Sequence, residues 1–319
     1  MTDQSIGVGF GTAGLGDRGF ETVTMALETG FRAFDTAEAD VWYNQDLVGR
    51  ALASYFDEKI DNQCIMDDEE YCTNICSQEN LRVSTKIPPW ELTSIDNIRR
   101  RAEESRKITV GFCDDETNPK YPMDVYYIHA PECWEGWHPR CNGVKNTLPL
   151  REAWLGMEAV VGTDHNTKRI GLSNIWPNQL RDIIRFVKDR EASYDGVGPP
   201  PRMPDVLQAY ADPLKPATEL REICKENGIE FVSYSTLGTQ HRMSDGTNPV
   251  LSNPKINEIA EKHDRSAAEV VLSWAIHNGM SVIPRSTKKH HIFQLSRLLN
   301  RESFLYNEDL LAIDALSLN

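Results

Sequence analysis

The chain has no run of about 18 apolar residues, the span of a membrane-crossing helix. Its opening segment, MTDQSIGVGF, lacks a basic stretch followed by an apolar one, and no Arg-rich, acid-poor leader is visible. Neither a secretory signal nor a transit peptide is therefore expected. Positive charge is scarce: 34 Lys plus Arg stand against 48 Asp plus Glu, a formal net charge of -14. A field of that sign repels phosphate backbones and anionic lipid, so no nucleic acid and no membrane is expected as a partner. Seven cysteines, an odd number, imply no complete disulfide framework, and a reducing, cytoplasmic setting is expected. Paired C-x2-C spacing is missing too. Cys133, His138 and Cys141, and the group Cys64, Cys72 and Cys76, read as loop residues without a function rather than as zinc ligands. The segment GLSNI around Ser173 is not a G-x-S-x-G elbow, which excludes a hydrolase nucleophile there.

What is present is a globular composition, with 40% hydrophobic and 26% charged residues over 319 positions. Short β-type runs alternate with helical periodicity. Strands are expected over residues 5–10, 31–36, 81–86, 123–129, 169–172, 206–209, 230–234 and 280–284. Between them lie helical patterns at 46–56, 95–108, 149–161, 179–188, 217–226 and 266–277, and Val23, Ala26 and Leu27 share one face of the first helix, which Gly30 is suited to stop. Ser266 with Glu269 spells a capping box. Eight βα units predict a closed parallel (β/α)8 TIM barrel, one domain with loop insertions near residues 57–79, 133–147 and 196–204. No feature of the sequence specifies an oligomeric state.

Barrel enzymes build their sites at the C-terminal ends of the strands. Asp35 ends FRAFDTA, Lys86 ends LRVSTK and His129 ends DVYYIH, so a carboxylate, an ammonium and an imidazole converge on one rim. Such a set lacks a proton donor, and Tyr43 is placed to supply it. A phenol has a pKa of about 10, and a neighbouring ammonium is expected to lower it, making a better acid at neutral pH. This is carbonyl-reduction chemistry. Trp90, Trp134 and Trp137 are either substrate-facing aromatics or loop anchors.

In chain order, GFGTAGLG, FRAFDTAEA, YNQDLVGRAL, VSTKI, DVYYIHAP, IGLSN, VLQAY, VSYSTLG and VIPRST resemble the landmarks of the aldo-keto reductases over nearly the whole chain. The resemblance implies a (β/α)8 barrel that binds an extended nicotinamide cofactor without a Rossmann domain, and a catalytic tetrad of Asp35, Tyr43, Lys86 and His129. It implies that Ser173, Asn174 and Gln208 hold the carboxamide and that Tyr234 stacks on the nicotinamide. Ser235 and Leu237 would line the pyrophosphate, Arg285 and Ser286 would meet the adenosine phosphate, and Gly11, Thr12 and His291 complete the implied cofactor contacts. The implied activity is reversible NAD(P)H-dependent reduction of a small-molecule carbonyl substrate, an aldehyde or ketone. Arg285 with Lys288 and Lys289 favours NADPH over NADH.

Four departures from the family pattern stand out. Tyr43 comes eight residues after Asp35, where a pattern like DTAxxYxNE is usual, and counting back from Val48 and Gly49 lands on Trp42. Tyr43 is preferred because indole has no titratable oxygen. Arg285 stands where the family has Lys. His291, Gln294 and Leu295 replace an Arg, a Glu and an Asn. Ala13 and Ala130 occupy places that often hold Trp. Two other readings remain at this stage. Gly9, Gly11 and Gly14 spell G-x-G-x-x-G with Asp35 some way on, a Rossmann fingerprint. The displaced tyrosine also admits a non-catalytic, dinucleotide-binding regulatory barrel.

Overall fold

The computed structural model describes residues 5–63, 75–114, 120–144, 147–197, 200–241, 243, 245–300 and 303–318. Its strands are β1 (Phe10–Gly11), β2 (Ala33–Asp35), β3 (Arg82–Ile87), β4 (Met123–Ile128), β5 (Thr167–Ser173), β6 (Val206–Tyr210), β7 (Glu230–Tyr234) and β8 (Ser281–Val282). They form one sheet in sequence order with every neighbouring pair parallel. Val8 bridges Val282, where the Gly9 N–H donates to the Val282 carbonyl at 2.8 Å and the Val282 N–H to the Gly7 carbonyl at 2.8 Å, so the sheet closes on itself. A doubly wound sheet has open edges and a reversal of strand order. Neither is present, and the Rossmann reading of Gly9, Gly11 and Gly14 is thereby corrected.

Both faces of each strand are covered, which is why a run such as MDVYYI is buried at every position. One face looks into the barrel, where Val125 and Tyr127 pack with Ile6, Ala33, Val206 and Val232; the other packs Met123, Tyr126 and Ile128 under the helices. Arg169 plugs the lower end of the interior, donating to Asp124 at 2.8 Å and Glu230 at 2.5 Å. The helices on the outer layer are α1 (Gly19–Glu28), α2 (Gln45–Gln63), α3 (Ile95–Val110), α4 (Leu150–Gly162), α5 (Pro177–Ala192), α6 (Thr218–Glu226), α7 (Pro254–Lys262), α8 (Ala267–His277), α9 (Lys289–Ser296) and α10 (Asn307–Asp314). The Ser266–Glu269 capping box forms as the sequence predicts, and Gly30 follows α1 at φ 98°. Gly49 lets α2 press onto α3, since a Cβ there would stand 1.9 Å from the Ile108 carbonyl oxygen.

The differences from the sequence reading are local. The first and last strands are two residues long, and they meet through the single bridge Val8–Val282 rather than through a ladder. Helix α2 runs through Asp57 to Gln63, so the expected insertion at 57–79 begins as helix; its residues 64–74, with Cys64 and Cys72, lie outside the described residues. Helices α7, α9 and α10 lie outside the expected helical patterns; ahead of α7, Asn253 before Pro254 is an N-cap signal, and the Asn253 carboxamide accepts from the N–H of Lys255 and Ile256. The expectation of functionless loop cysteines is corrected: Cys76 is bonded to Cys113 and Cys133 to Cys141, while Cys224 is free and buried. With both sulfurs of the second pair joined to each other, Cys133 and Cys141 offer no thiolate to a metal. No described helix is long and apolar enough to cross a membrane.

Candidate active site

Asp35 and Lys86 end neighbouring strands, and the inward pleat turns both side chains into the upper barrel. Lys86 is fully buried and Asp35 nearly so. The Lys86 Nζ donates to Asp35 Oδ1 at 2.5 Å and to the Thr36 carbonyl at 2.8 Å, while Gln208 Nε2 donates to Asp35 Oδ2 at 2.8 Å. The carboxylate is thus held from two sides. Burial pulls the Lys86 ammonium below its ordinary range, with the Asp35 charge opposing. Glu38, which the sequence reading missed, braces this strand end: its N–H donates to the Lys86 carbonyl at 3.1 Å, and its carboxylate accepts from Arg101, Ser105 and the Tyr126 hydroxyl. Burial raises the Glu38 pKa despite Arg101.

Tyr43 leaves a tight turn and returns over this pair. Lys86 Nζ lies 5.2 Å from the centre of the Tyr43 ring, and the Tyr43 and His129 rings meet edge to face at 5.8 Å. Trp42 points away, half exposed, and is held by its backbone, its carbonyl accepting from the Gly14 N–H at 2.6 Å and its N–H donating to the Ala39 carbonyl at 3.0 Å. The structure therefore brings Tyr43, not Trp42, together with Asp35, Lys86 and His129. The sequence expectation for the phenol is corrected, however. Its pKa is raised, by burial first and then by the Asp35 and Tyr234 charges, with Arg285 opposing. The ammonium at Lys86 does not offset this because its charge is already matched by Asp35 at 2.5 Å.

His129 is held well below its usual range by burial and by Lys86, so its imidazole is neutral. Its Nδ1 is buried without a partner, and the ring makes no hydrogen bond to protein among the described residues. Around it, Trp137 stands edge-on at 5.2 Å and Trp134 stacks on Trp137 at 4.3 Å, while Trp90 lies 5.5 Å from Trp137. Trp137 is the aromatic nearest the imidazole, ahead of Trp134, which is 44% exposed.

The cofactor candidates gather at the same rim. Asn174 Nδ2 donates to the His129 carbonyl at 2.9 Å and to Ser173 Oγ at 3.1 Å, and the Tyr234 hydroxyl donates to Asn174 Oδ1 at 2.6 Å. Burial pushes the Tyr234 phenol up to about 12. Asn174 and Ser235, at the ends of β5 and β7, both hold left-handed backbone at φ 53° and 51°, a strain that packed structures keep where a ligand is met. Leu237 follows in the β7 loop, its carbonyl accepting from Asn248 Nδ2 at 2.7 Å. Thr12 Oγ1 donates to the Asp35 carbonyl at 2.9 Å, and Gly11 leaves 2.7 Å between an added Cβ and the Ile283 carbonyl. Ser286 Oγ and His291 Nδ1 pair at 3.3 Å. The Arg285 guanidinium lies beside Gly14. A buried neutral carboxamide cradle, an exposed guanidinium and a tyrosine face fit a nicotinamide dinucleotide.

The aldo/keto reductase family model matches residues 7–317. The chain belongs to the aldo/keto reductase family. It is an NAD(P)H-dependent oxidoreductase acting on carbonyl groups. It is 25% identical over 302 residues to a glyoxal reductase of Bacillus subtilis, covering 95% of this chain and 84% of that one. It is 27% identical over 300 residues to a glycerol 2-dehydrogenase (NADP(+)) of Hypocrea jecorina, covering 89% and 81%. An aldose reductase structure from Schistosoma japonicum superposes with a TM-score of 0.70 at 22% identity, over 98% of this chain and 88% of that chain, a likeness of fold.

Proposed function

We propose that this aldo-keto reductase, acting as one barrel domain, reduces small aldehydes or ketones to alcohols with NADPH, and runs the reverse oxidation. The observation that carries the reading is the buried Lys86–Asp35 pair beneath the Tyr43 ring with a neutral His129 beside it. When bound, NADPH supplies the hydride. His129, neutral and without a protein partner, donates a hydrogen bond that orients and polarises the carbonyl oxygen. Tyr43, held protonated, gives its proton to that oxygen as negative charge develops. Asp35 fixes Lys86 beneath the Tyr43 ring, and the Arg285 charge is the one that favours the phenolate. Ser173, Asn174 and Gln208 hold the carboxamide, and Tyr234 covers the nicotinamide ring. Trp90, Trp134 and Trp137 form the wall against which an apolar or flat substrate body packs.

Two of the relatives named above are a glyoxal reductase and a glycerol 2-dehydrogenase, which supports small oxygenated carbonyls as the substrate class. The reading is tested by following NADPH and NADH oxidation with a panel of aldehydes, ketones and sugars. NADPH binding without turnover on any of them would overturn this substrate class.

A further inference from the structure

The turn that sets Tyr43 eight residues after Asp35 and the inserted loop after His129 touch each other. The longer turn between Asp35 and Tyr43 contains Asp40, and the long loop after His129 contains His138. Arg140 donates its N–H to His138 Nδ1 at 3.0 Å, which leaves the hydrogen on Nε2, and Nε2 donates to Asp40 Oδ1 at 3.0 Å. The imidazole is buried and stacked on Trp90 at 4.2 Å, whereas the Asp40 side chain is 63% exposed. Asp40 therefore gains a fixed partner from a rigid neighbour rather than the reverse. Its turn is tight: the N–H groups of Trp42 and Tyr43 both donate to the Ala39 carbonyl at 3.0 Å. The residue preceding His138 is Trp137, whose edge meets His129, and the Cys133–Cys141 disulfide closes the loop around both.

We propose that His138 is a positioning residue: through Asp40 it sets the turn that presents Tyr43, and through its own loop it sets Trp137 against His129. This rests on the reading of Tyr43 as the proton donor. A turn lengthened relative to the family has more conformations to lose, so a tyrosine at its end needs an added anchor to reach a productive position. Displacing a reacting group by about 1 Å can cost about a hundredfold in rate. His138 supplies the anchor from the element that also walls the substrate. A contribution to folding alone would not couple the two.

The test uses the full, oxidised chain and the best carbonyl substrate from the panel. Asp40→Ala, at an exposed position, is expected to lower kcat at least tenfold with little change in NADPH affinity. Asp40→Asn keeps an acceptor for the Nε2 hydrogen and is expected to restore most of the loss. His138→Ala is expected to lower kcat and raise KM together, because it frees Trp137 as well. The double variant should be no slower than His138→Ala. Unchanged kcat in Asp40→Ala, or losses that multiply in the double variant, would overturn the proposal while Tyr43→Phe remains inactive. Turnover retained in Tyr43→Phe would instead remove the underlying reading, and the proposal with it.

Discussion

Arg285 rests against Gly14. A Cβ added to that glycine, which holds φ +67°, would stand 3.4 Å from the Arg285 Nη2. Among the described residues the guanidinium has no ion pair or side-chain hydrogen bond, and its charge reaches Tyr43. An exposed cation without a partner at the mouth of the site is free to meet a phosphate. NADPH should therefore bind more tightly than NADH, and Arg285→Ala should shrink that preference by about 1.5 to 3 kcal/mol, the range for a charged hydrogen bond. Equal affinities for the two cofactors in the unmutated protein would refute this. His291 is pulled below its ordinary range by burial, His290 and Lys288. Any gain in NADPH affinity from its protonation is then expected only on the acid side of about pH 6.5.

Tyr43→Phe should abolish turnover and leave NADPH binding nearly intact, while Trp42→Phe should change kcat little. The raised Tyr43 pKa has a sign that can be checked. The phenol stays protonated past its ordinary value of about 10, so the reduction rate should show no basic limb from this group below that pH. Its contribution to stability is likewise present below the unfolded value and lost only as pH rises through the folded one. A pH profile with a limb from Tyr43 near neutrality would contradict the assignment.

Asp35→Ala leaves the fully buried Lys86 ammonium without its carboxylate. Removing one partner of a buried pair costs about 3 to 5 kcal/mol. A urea unfolding curve that shifts by less than about 1 kcal/mol would put this pair with the weakly contributing surface ion pairs.

The disulfides carry their own expectation. Cys76 and Cys113 are separated by 37 residues in sequence, and closing a loop of that length constrains the unfolded chain by about 3 to 4 kcal/mol. Unfolding midpoints measured with and without a dithiol reductant should differ by at least that much, and Cys76→Ser with Cys113→Ser should shrink the difference to what the Cys133–Cys141 loop contributes. In steady-state kinetics Cys133→Ser with Cys141→Ser should raise KM, because Trp137 sits inside that loop.

Alternating apolar runs and helical faces were legible from the chain alone, because strand and helix periods are local properties. So were Asp35, Lys86 and His129, each a lone ionisable residue at the end of an apolar run, and so was the Ser266 cap. Tertiary structure decided what depends on distant partners. The closure through Val8 and Val282 joins residues at opposite ends of the chain. The pairing of Cys76 with Cys113 and of Cys133 with Cys141 depends on how loops return to the barrel. Whether Tyr43 or Trp42 faces Lys86 depends on a turn anchored by Gly14 and His138. The rise of the phenol's pKa follows from burial and from Asp35 having already neutralised Lys86, and neither is a feature of residue type or spacing.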